Sequence, residues 1–337
     1  MAAVALLLIV PHAGLLAAVT VEIAAEAGPQ ANAHGPWLQL FSRAGATSVR
    51  VRATRAGESP QVEDFGTPER PRPKLTVVLA RNGTVHAPGA RFKLGEEGKL
   101  KEYLARLEDE GEKGVTAARG KFGLREEQFA LLFDKLKAPM GSIRSDSSLK
   151  TILRDTERNL GVRIDSDEGA ALALAATPEG AEKLAGLSTG TALAVLLKQE
   201  GLALEAGKPI GGAVSLRVVE LRRAEETWPT GYQPESSPRE TAPVLFEWVN
   251  VEIGGYSLRQ TFDAIEPSLS SEERPLPLVW DHYTLRRDGI DPGSIQVSLE
   301  PKRTFFKRVI DKLAFQARLK AELRVDEAGS PFLWLTR

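Results

Sequence analysis

The chain has 337 residues, enough for two or three domains with separate hydrophobic cores, and its apolar and charged fractions are those of a globular protein. Its 44 Lys and Arg residues nearly cancel its 45 Asp and Glu residues, and no long block of one sign occurs. We therefore expect no nucleic-acid partner and no membrane-surface binding. Because the chain contains no cysteine, disulfides, thiolate metal sites and cysteine nucleophiles are excluded.

The first 34 residues have features of an export signal. No charged residue occurs from Ala2 to Val21, and two small-x-small sites follow, at Ala25–Ala27 and Ala31–Ala33. This pattern predicts that residues 1–34 are a cleaved signal peptide and that the protein is exported to the periplasm or cell envelope, with a mature chain that begins within residues 28–35. No Lys or Arg precedes the apolar run, so an uncleaved membrane anchor and a buried helix are alternatives. Only an uncleaved anchor would contact the membrane.

Residues 35–138 are predicted to form a small α+β domain. A short helix is expected at Trp37–Phe41, strands at Ser48–Arg52 and Leu75–Leu79, and a hairpin turn at Asn82-Gly83. Residues 57–74 are rich in proline and charge, which predicts a loop. Two amphipathic helices follow, each with apolar residues at i, i+3, i+4 and i+7. The two stripes are Leu100, Tyr103, Leu104 and Leu107, and Phe129, Leu132, Phe133 and Leu136.

Two boundaries separate the rest of the chain. One is expected at Pro139–Gly141. The other is residues 223–243, whose prolines and charges without periodicity predict an exposed linker. Two segments of similar size result, residues 142–222 and residues 244–337.

The two segments share one order of predicted elements. Each has a first helix opened by a leucine, Leu149 or Leu258, and then a strand that ends at an aspartate, Asp165 or Asp281. Each continues with a second helix and closes with two strands. We therefore predict an α+β protein of several small domains, the last two being copies of one β-α-β-β-α-β-β module. Two unrelated α+β domains are the alternative.

Short stretches of both segments also carry a family resemblance. They are Ser148-Leu149, Val162–Asp165, Ala192–Leu197 and Gly201–Glu205 in the first segment, and Ser257-Leu258, Trp280-Asp281, Val297–Leu299 and Val309-Ile310 in the second. In order and pattern they resemble the short N-terminal (STN-like) domain of secretins and TonB-dependent receptors and the related secretin N-domains, over about residues 142–222 and 245–337. The resemblance implies an envelope-located, non-catalytic domain that binds protein, often by docking onto copies of itself. In contrast to full-length secretins and receptors, no long amphipathic barrel region and no plug follows.

Few residue patterns indicate chemistry. Gly186–Gly190 fits the G-x-S-x-G motif, in which Ser188 would be a nucleophile, but no apolar strand precedes it. The simpler interpretation is that Ser188, or Thr189 or Thr191, caps a helix that starts near Ala192. The sequence lacks phosphate-binding glycine loops, a complete calcium loop and paired histidines, so we expect no cofactor and no metal.

A second candidate cluster is Trp280, Asp281 and His282. These residues could bind a ligand by aromatic contact, with Asp281 orienting His282. The simpler interpretation is that Trp280 is a core residue and Asp281 starts a turn.

The sequence thus leaves two functions open. The preferred one is an exported cell-envelope protein that acts as a non-catalytic protein-binding or scaffold module. The alternative is an exported serine hydrolase that uses Ser188 or the Asp281/His282 pair. Because a small sheet cannot pair both of its edges, we expect a protein partner or self-association through sheet edges. The expected interaction edge is the last strand, where Phe332, Leu333, Trp334 and Leu335 would alternate between core and surface.

Overall fold

The computed structural model describes residues 19–26, 34–66, 72–210, 213–270 and 275–337. Helices and several small mixed sheets form the chain, which confirms the α+β class. By packing, one compact unit contains the described residues up to 118 together with 213 and its neighbours 209 and 210, and the other contains residues 119–208 and 214–337. No helix within the described ranges combines the length and the apolar character needed to cross a membrane.

The first unit is a mixed sheet with two helices. In chain order its elements are β1 (Thr20–Ala25), α1 (His34–Arg43), β2 (Ser48–Ala53), β3 (Gln61–Asp64), β4 (Pro73–Leu79), β5 (Val85–Ala87), β6 (Ala90–Phe92) and α2 (Glu97–Thr116). The strands lie in the order β2-β1-β4-β5-β6, and β3 also pairs with β4. β1 runs parallel to both of its neighbours. β3 and the start of β4 fall within the predicted loop 57–74.

β1 lies within the predicted leader. Val21 and Ile23 are fully buried, and the strand is paired along its whole length with β2 and with β4. The prediction that residues 1–34 precede the folded domain is therefore wrong for Thr20–Ala25. The strand begins within the uncharged stretch Ala2–Val21, so its first residues are similar to the apolar segment of a signal peptide. Residues 1–18 and 27–33, on which the rest of the prediction falls, lie outside the described residues.

The predicted hairpin turn and the predicted apolar stripe of the helix after it are both confirmed in this unit. Gly83 has φ +79° in the turn between β4 and β5, a conformation that costs glycine little. The predicted stripe of α2 is buried in the core of the unit, where it packs with Trp37 and Phe41 of α1.

The second unit contains the remaining elements, except for residues 209 and 210 at the end of β8 and residue 213 at the start of β9. They are α3 (Glu126–Leu136), α4 (Leu149–Leu160), β7 (Ile164–Ser166), α5 (Thr189–Gln199), β8 (Leu202–Ile210), β9 (Ala213–Glu220), α6 (Pro238–Thr241), β10 (Trp248–Ser257), α7 (Leu258–Leu269), β11 (Leu278–Trp280), α8 (His282–Arg287), β12 (Gln296–Phe305), α9 (Phe306–Gln316), β13 (Lys320–Val325) and β14 (Pro331–Thr336). α3 belongs here rather than to the predicted domain 35–138, because Leu132 and Leu136 share a core with α4 and α5.

The two predicted repeats have the same strand order. In residues 244–337, here called module 2, the sheet has the order β11-β14-β13, with β11 parallel and β13 antiparallel to β14. In residues 142–222, here called module 1, the order is β7-β9-β8, and β7 is parallel to β9. In both modules the last strand is therefore the middle strand of the sheet: β14 lies between β11 and β13, and β9 lies between β7 and β8.

The modules differ in their second sheet. Module 2 has a long antiparallel pair, β10 with β12, whose strands directly precede α7 and α9. Just before module 1, an isolated antiparallel bridge joins Pro139 to Ser188. The two bridged residues precede α4 and α5, so the bridge occupies the corresponding place. Module 2 thus has the predicted β-α-β-β-α-β-β order with α8 added between β11 and β12, and in module 1 the second sheet is reduced to a bridge.

β14 is an inner strand and is not the expected interaction edge. Phe332, Leu333, Trp334 and Leu335 are all buried. Leu333 and Leu335 pack in the core of module 2, whereas Phe332 and Trp334 face the core of module 1. The prediction for this strand is wrong because a run of apolar residues is typical of a strand covered on both faces, and the covering elements are far away in sequence.

Candidate functional site

Ser188 is held by backbone groups. It is 1% exposed, and its Oγ donates to the carbonyl of Lys137 at 3.3 Å and accepts from the N–H of Ala328 at 3.1 Å. Its own N–H donates to Asp326 Oδ2 at 2.6 Å. Ser188 stands at the N-cap position of α5, but its side chain makes no cap hydrogen bond. The hydroxyl therefore links α5 to the β13–β14 turn and to the segment before module 1.

Carboxylates from module 2 occupy the start of α5 in module 1. Glu327 in the β13–β14 turn is buried and accepts hydrogen bonds from Thr191 N at 3.2 Å, from Thr191 Oγ1 at 2.8 Å and from the indole N–H of Trp228. The partial positive charge of a helix N-terminus stabilises such an acidic group. The hydrogen bonds lower the pKa of Glu327, but burial raises it by more, so the pKa lies above its ordinary value. No local sequence pattern predicts this contact, since Glu327 and Thr191 are 136 positions apart.

Asp281 makes a second connection between the modules. Its Oδ2 accepts from Lys198 Nζ of α5 at 2.8 Å and from Thr336 Oγ1 at 2.9 Å. The same carboxylate caps α8 by accepting from the N–H of Thr284 at 3.2 Å. Burial alone would raise the pKa of Asp281, but the hydrogen bonds and the positive charge of Lys198 outweigh it and hold the pKa below its ordinary value.

The three residues of the predicted ligand cluster face different surroundings. Trp280 packs edge-to-face on Phe262 in the core of module 2, with ring centroids 5.5 Å apart. Asp281 binds Lys198, whereas His282 Nδ1 lies 3.4 Å from Glu179 Oε2. Burial lowers the pKa of His282, and the charge of Glu179 opposes this shift. Trp280 is therefore a core residue, and Asp281 starts a helical turn.

Ser188 and His282 share no hydrogen-bond partner. The contacts of Ser188 come from Lys137, Asp326 and Ala328, and the contact of His282 comes from Glu179. The serine hydroxyl thus contacts backbone groups in place of a base, and its burial separates it from solvent. This arrangement lacks the nucleophile and base in contact that acyl transfer requires.

Residues 223–243, predicted as an exposed linker, form a strap that is attached to both modules. Trp228 is buried, and its ring stacks on Phe122 at 5.3 Å between centroids. The backbone N–H of Trp228 donates to the carbonyl of Leu204 in β8 at 2.6 Å. Tyr232 exchanges two backbone hydrogen bonds with Val325 of β13, at 2.7 and 2.9 Å.

A cleft of about 700 Å³ lies beside the strap. Its walls are β8, β13, the strap and side chains from α5 and α9. The lining residues are Ala194, Lys198, Leu202, Ala203, Leu204, Leu221, residues 227–234, Ser236, Pro238, Lys307, Ala321, Glu322, Leu323 and Arg324. The cleft is thus lined by one outer sheet strand from each module, β8 and β13. The predicted interaction edge was instead β14, which is an inner strand.

Comparison of the chain with protein-family models, with curated proteins and with solved structures found no significant match.

Proposed function

We propose that this chain is a non-catalytic protein-binding scaffold of the cell envelope, built around two copies of one module. The polar residues considered for catalysis, Ser188, Asp281 and His282, are engaged in hydrogen bonds or ion pairs within the protein. The envelope location rests on the resemblance of both modules to STN-like domains and on the apolar N-terminal sequence.

The β10·β12 ladder carries the proposal. Each strand has ten residues, and within the described part of the chain the two pair only with each other. The side chain of Gln316 bonds both backbone groups of Ser298 on the outer edge of β12. The outer edge of β10 is therefore the one that another chain can extend by main-chain hydrogen bonds. The solvent side of the ladder has large exposed aromatic side chains, Trp248 at 58% and Tyr256 at 60%. Exposed aromatic groups next to an open strand edge are typical of a protein-binding surface.

Site-specific crosslinking in native cells tests the proposal. A photoreactive phenylalanine replaces Tyr256 on the ladder, and the control position is Leu172, which is 89% exposed and lies in module 1 outside the strands. We expect a discrete crosslinked protein, or a crosslinked dimer of this chain, from position 256 and none from position 172. Equal crosslinking from both positions, or no crosslinking from position 256, would contradict the proposal.

A further inference from the structure

The end of β12 and the whole of α9 carry an excess of positive charge. Residues 300–320 contain seven Lys or Arg residues and two acidic residues, in a chain whose charges nearly cancel. Asp311, the acidic residue of α9, is already paired with Lys307. The cations that form no ion pair with a carboxylate of the described residues include Lys302, Arg308 and Lys312, here called the cationic cluster.

The members of the cationic cluster are neighbours. Arg308 and Lys312 lie one turn apart on α9, and the side chain of Lys302 in β12 lies beside that of Lys312. The adjacent ammonium of Lys312 and, after it, burial hold the pKa of Lys302 below its ordinary value, and the charge of Glu300 only partly opposes them. Like charges at this separation destabilise a fold. An anion held between the three groups would remove the repulsion.

An exposed aromatic ring belongs to the same surface. Arg308, Lys312 and Phe315 occupy positions i, i+4 and i+7 of α9, so they project from one face, opposite the buried residues of the helix. The Phe315 side chain is 80% exposed. Gln316 fixes this end of α9 on β12, because its side chain bonds the backbone N–H and C=O of Ser298 at 3.1 and 2.9 Å. The face therefore has a defined orientation beside the outer edge of β12.

We propose that the cationic cluster and Phe315 bind the headgroups of an anionic membrane surface. Headgroup phosphates accept charge-assisted hydrogen bonds from ammonium and guanidinium groups. An aromatic ring that projects among cations on a convex helix face can enter the apolar layer below those headgroups. A soluble phosphate would leave the Phe315 ring in water, so a membrane surface uses both features and a soluble anion uses one.

This inference goes beyond the proposed protein-binding function and does not depend on it. The face of α9 lies at the β12 side of the ladder, whereas the strand edge open to a protein partner is that of β10. The expectation of no membrane-surface binding rested on the balance of charge over the whole chain. Membrane attraction acts within about one Debye length of the surface, so the local charge of the face decides it.

A fluorescent label at position 315 tests the inference on the whole purified chain. Because the chain has no cysteine, Phe315→Cys provides a single attachment site for an environment-sensitive dye. The control is the same dye on Leu172→Cys, at a position that is 89% exposed. This local readout is needed because an uncleaved N-terminal anchor would also bring the chain to vesicles.

The label is expected to respond to one type of lipid. Vesicles of phosphatidylglycerol should shift the emission from position 315 to shorter wavelength and leave position 172 unchanged. Vesicles of phosphatidylcholine, whose headgroup has no net charge, should change neither. An equal response to both lipids, an equal response at both positions, or no response at position 315 would overturn the inference.

Charge variants of the labelled chain identify the groups that bind phosphate. Lys302→Gln and Lys312→Gln should each raise the lipid concentration for a half-maximal response about fivefold, and the double variant about 25-fold. Lys312→Arg keeps the charge and should preserve the response. Lys150→Gln removes an exposed lysine of α4 and is the matched control. An equal loss in Lys150→Gln would show a general effect of net charge and would contradict the assigned site.

Folding of each variant is checked by circular dichroism. Both glutamine changes relieve a repulsion between like charges, so we expect both variants to fold. If Lys302→Gln does not fold, the exposed residue Lys312 still decides the outcome through its two variants.

Soluble phosphate and nucleic acid are tested as other sources of phosphate groups. Millimolar inorganic phosphate, or a single-stranded oligonucleotide, is added to the labelled chain without vesicles. We expect no shift in emission from position 315, since neither provides an apolar layer. A shift with either one would overturn the membrane assignment. Crosslinking from Tyr256 tests the protein-binding function separately, so failure of one proposal is distinguishable from failure of the other.

Discussion

Asp281 lies at the start of α8 in module 2, and its carboxylate accepts a hydrogen bond from Lys198 of module 1. The carboxylate is 2% exposed, whereas the lysine side chain is about a quarter exposed. The folded-state pKa of Asp281 lies below its ordinary value, so the ionised form of Asp281 stabilises the folded state. This contribution is fully present above the unfolded-state pKa and is lost as the pH falls through the folded-state pKa.

The first prediction concerns Asp281→Asn. At neutral pH this change leaves Lys198 without its buried partner, and we expect the free energy of unfolding to fall by about 2–3 kcal/mol. In acid the wild type loses the contribution of Asp281 and the variant has none to lose, so the difference between the two should shrink below about pH 4. Urea denaturation from pH 7 to pH 3 measures it.

Two features make this comparison specific. Burial raises the pKa of Glu327, so the effect of Glu327 on the stability of the folded state becomes less favourable as the pH rises. Glu327 is present in both wild type and Asp281→Asn, so its effect cancels in the difference between them. The control is Asp146→Asn, since Asp146 pairs with Arg144 at the surface. A stability difference between wild type and Asp281→Asn that is independent of pH would contradict the assigned role of Asp281.

Ser188 provides the second prediction at the scale of single residues. Ser188→Ala removes two hydrogen bonds of a buried hydroxyl, one to the carbonyl of Lys137 and one from the N–H of Ala328, which keeps Asp326 Oδ1 as its second acceptor. We expect a loss of about 1–3 kcal/mol in the free energy of unfolding. Hydrolysis of a nitrophenyl ester by the purified protein should be the same for variant and wild type. Ester hydrolysis that disappears only in the variant would instead support the serine-hydrolase alternative.

At the scale of elements, β14 joins the two modules. Its alternate residues pack in different cores, so the same strand completes the sheet of module 2 and covers module 1. β13 borders the same sheet but has one edge toward the cleft. The two strands of one hairpin should therefore respond differently to proline.

The third prediction compares these strands. The N–H of Leu333 donates to the carbonyl of Pro277 at 3.0 Å, so Leu333→Pro deletes an inner hydrogen bond and a fully buried side chain. We expect Leu333→Pro to unfold both modules, whereas Ala321→Pro on the outer edge retains the wild-type circular dichroism spectrum. A folded Leu333→Pro variant would show that β14 is not an inner strand.

At the scale of the whole molecule, the fold of each unit depends on an inner strand whose position in the sheet its sequence does not predict. In the second unit this strand is β14. In the first unit this element is β1, which is paired on both sides. Loss of a central strand leaves β2 and β4 without their shared partner and exposes the apolar residues that pack on it, including Leu75 and Val77.

The fourth prediction follows from β1. A chain that begins at residue 28 should lack a folded first unit, whereas a matched chain that begins at Val19 keeps β1 and should fold. Hydrogen exchange at the amide of Val77 in β4 reports on the first unit, and the amide of Leu333 in β14 serves as the control for the second. Protection of Val77 in the shorter chain would refute the central role of β1.

Sequence by itself determined the α+β class, the amphipathic stripe of α2 and the turn at Gly83. These features depend on residues a few positions apart, whose periodicity and turn preferences are local physical properties. The simpler interpretation of Trp280 as a core residue and Asp281 as the start of a turn is confirmed. The hydrogen-bond partners of Ser188 and Asp281 could not be predicted, because the residues next to them do not show what packs on them.

Only the tertiary structure decided which strands are central, which edges face the cleft, and where the buried carboxylates bind. Lys198 and Asp281 are 83 positions apart, and Trp228 and Glu327 are 99 positions apart. Whether a polar group becomes a site or a structural bond depends on the partner that packing brings to it, since a buried polar group must find a hydrogen bond. Likewise, β14 is an apolar run whose role follows from what covers both of its faces, and the role of β1 follows from the strands that pair with it on both sides. These partners come from distant parts of the chain.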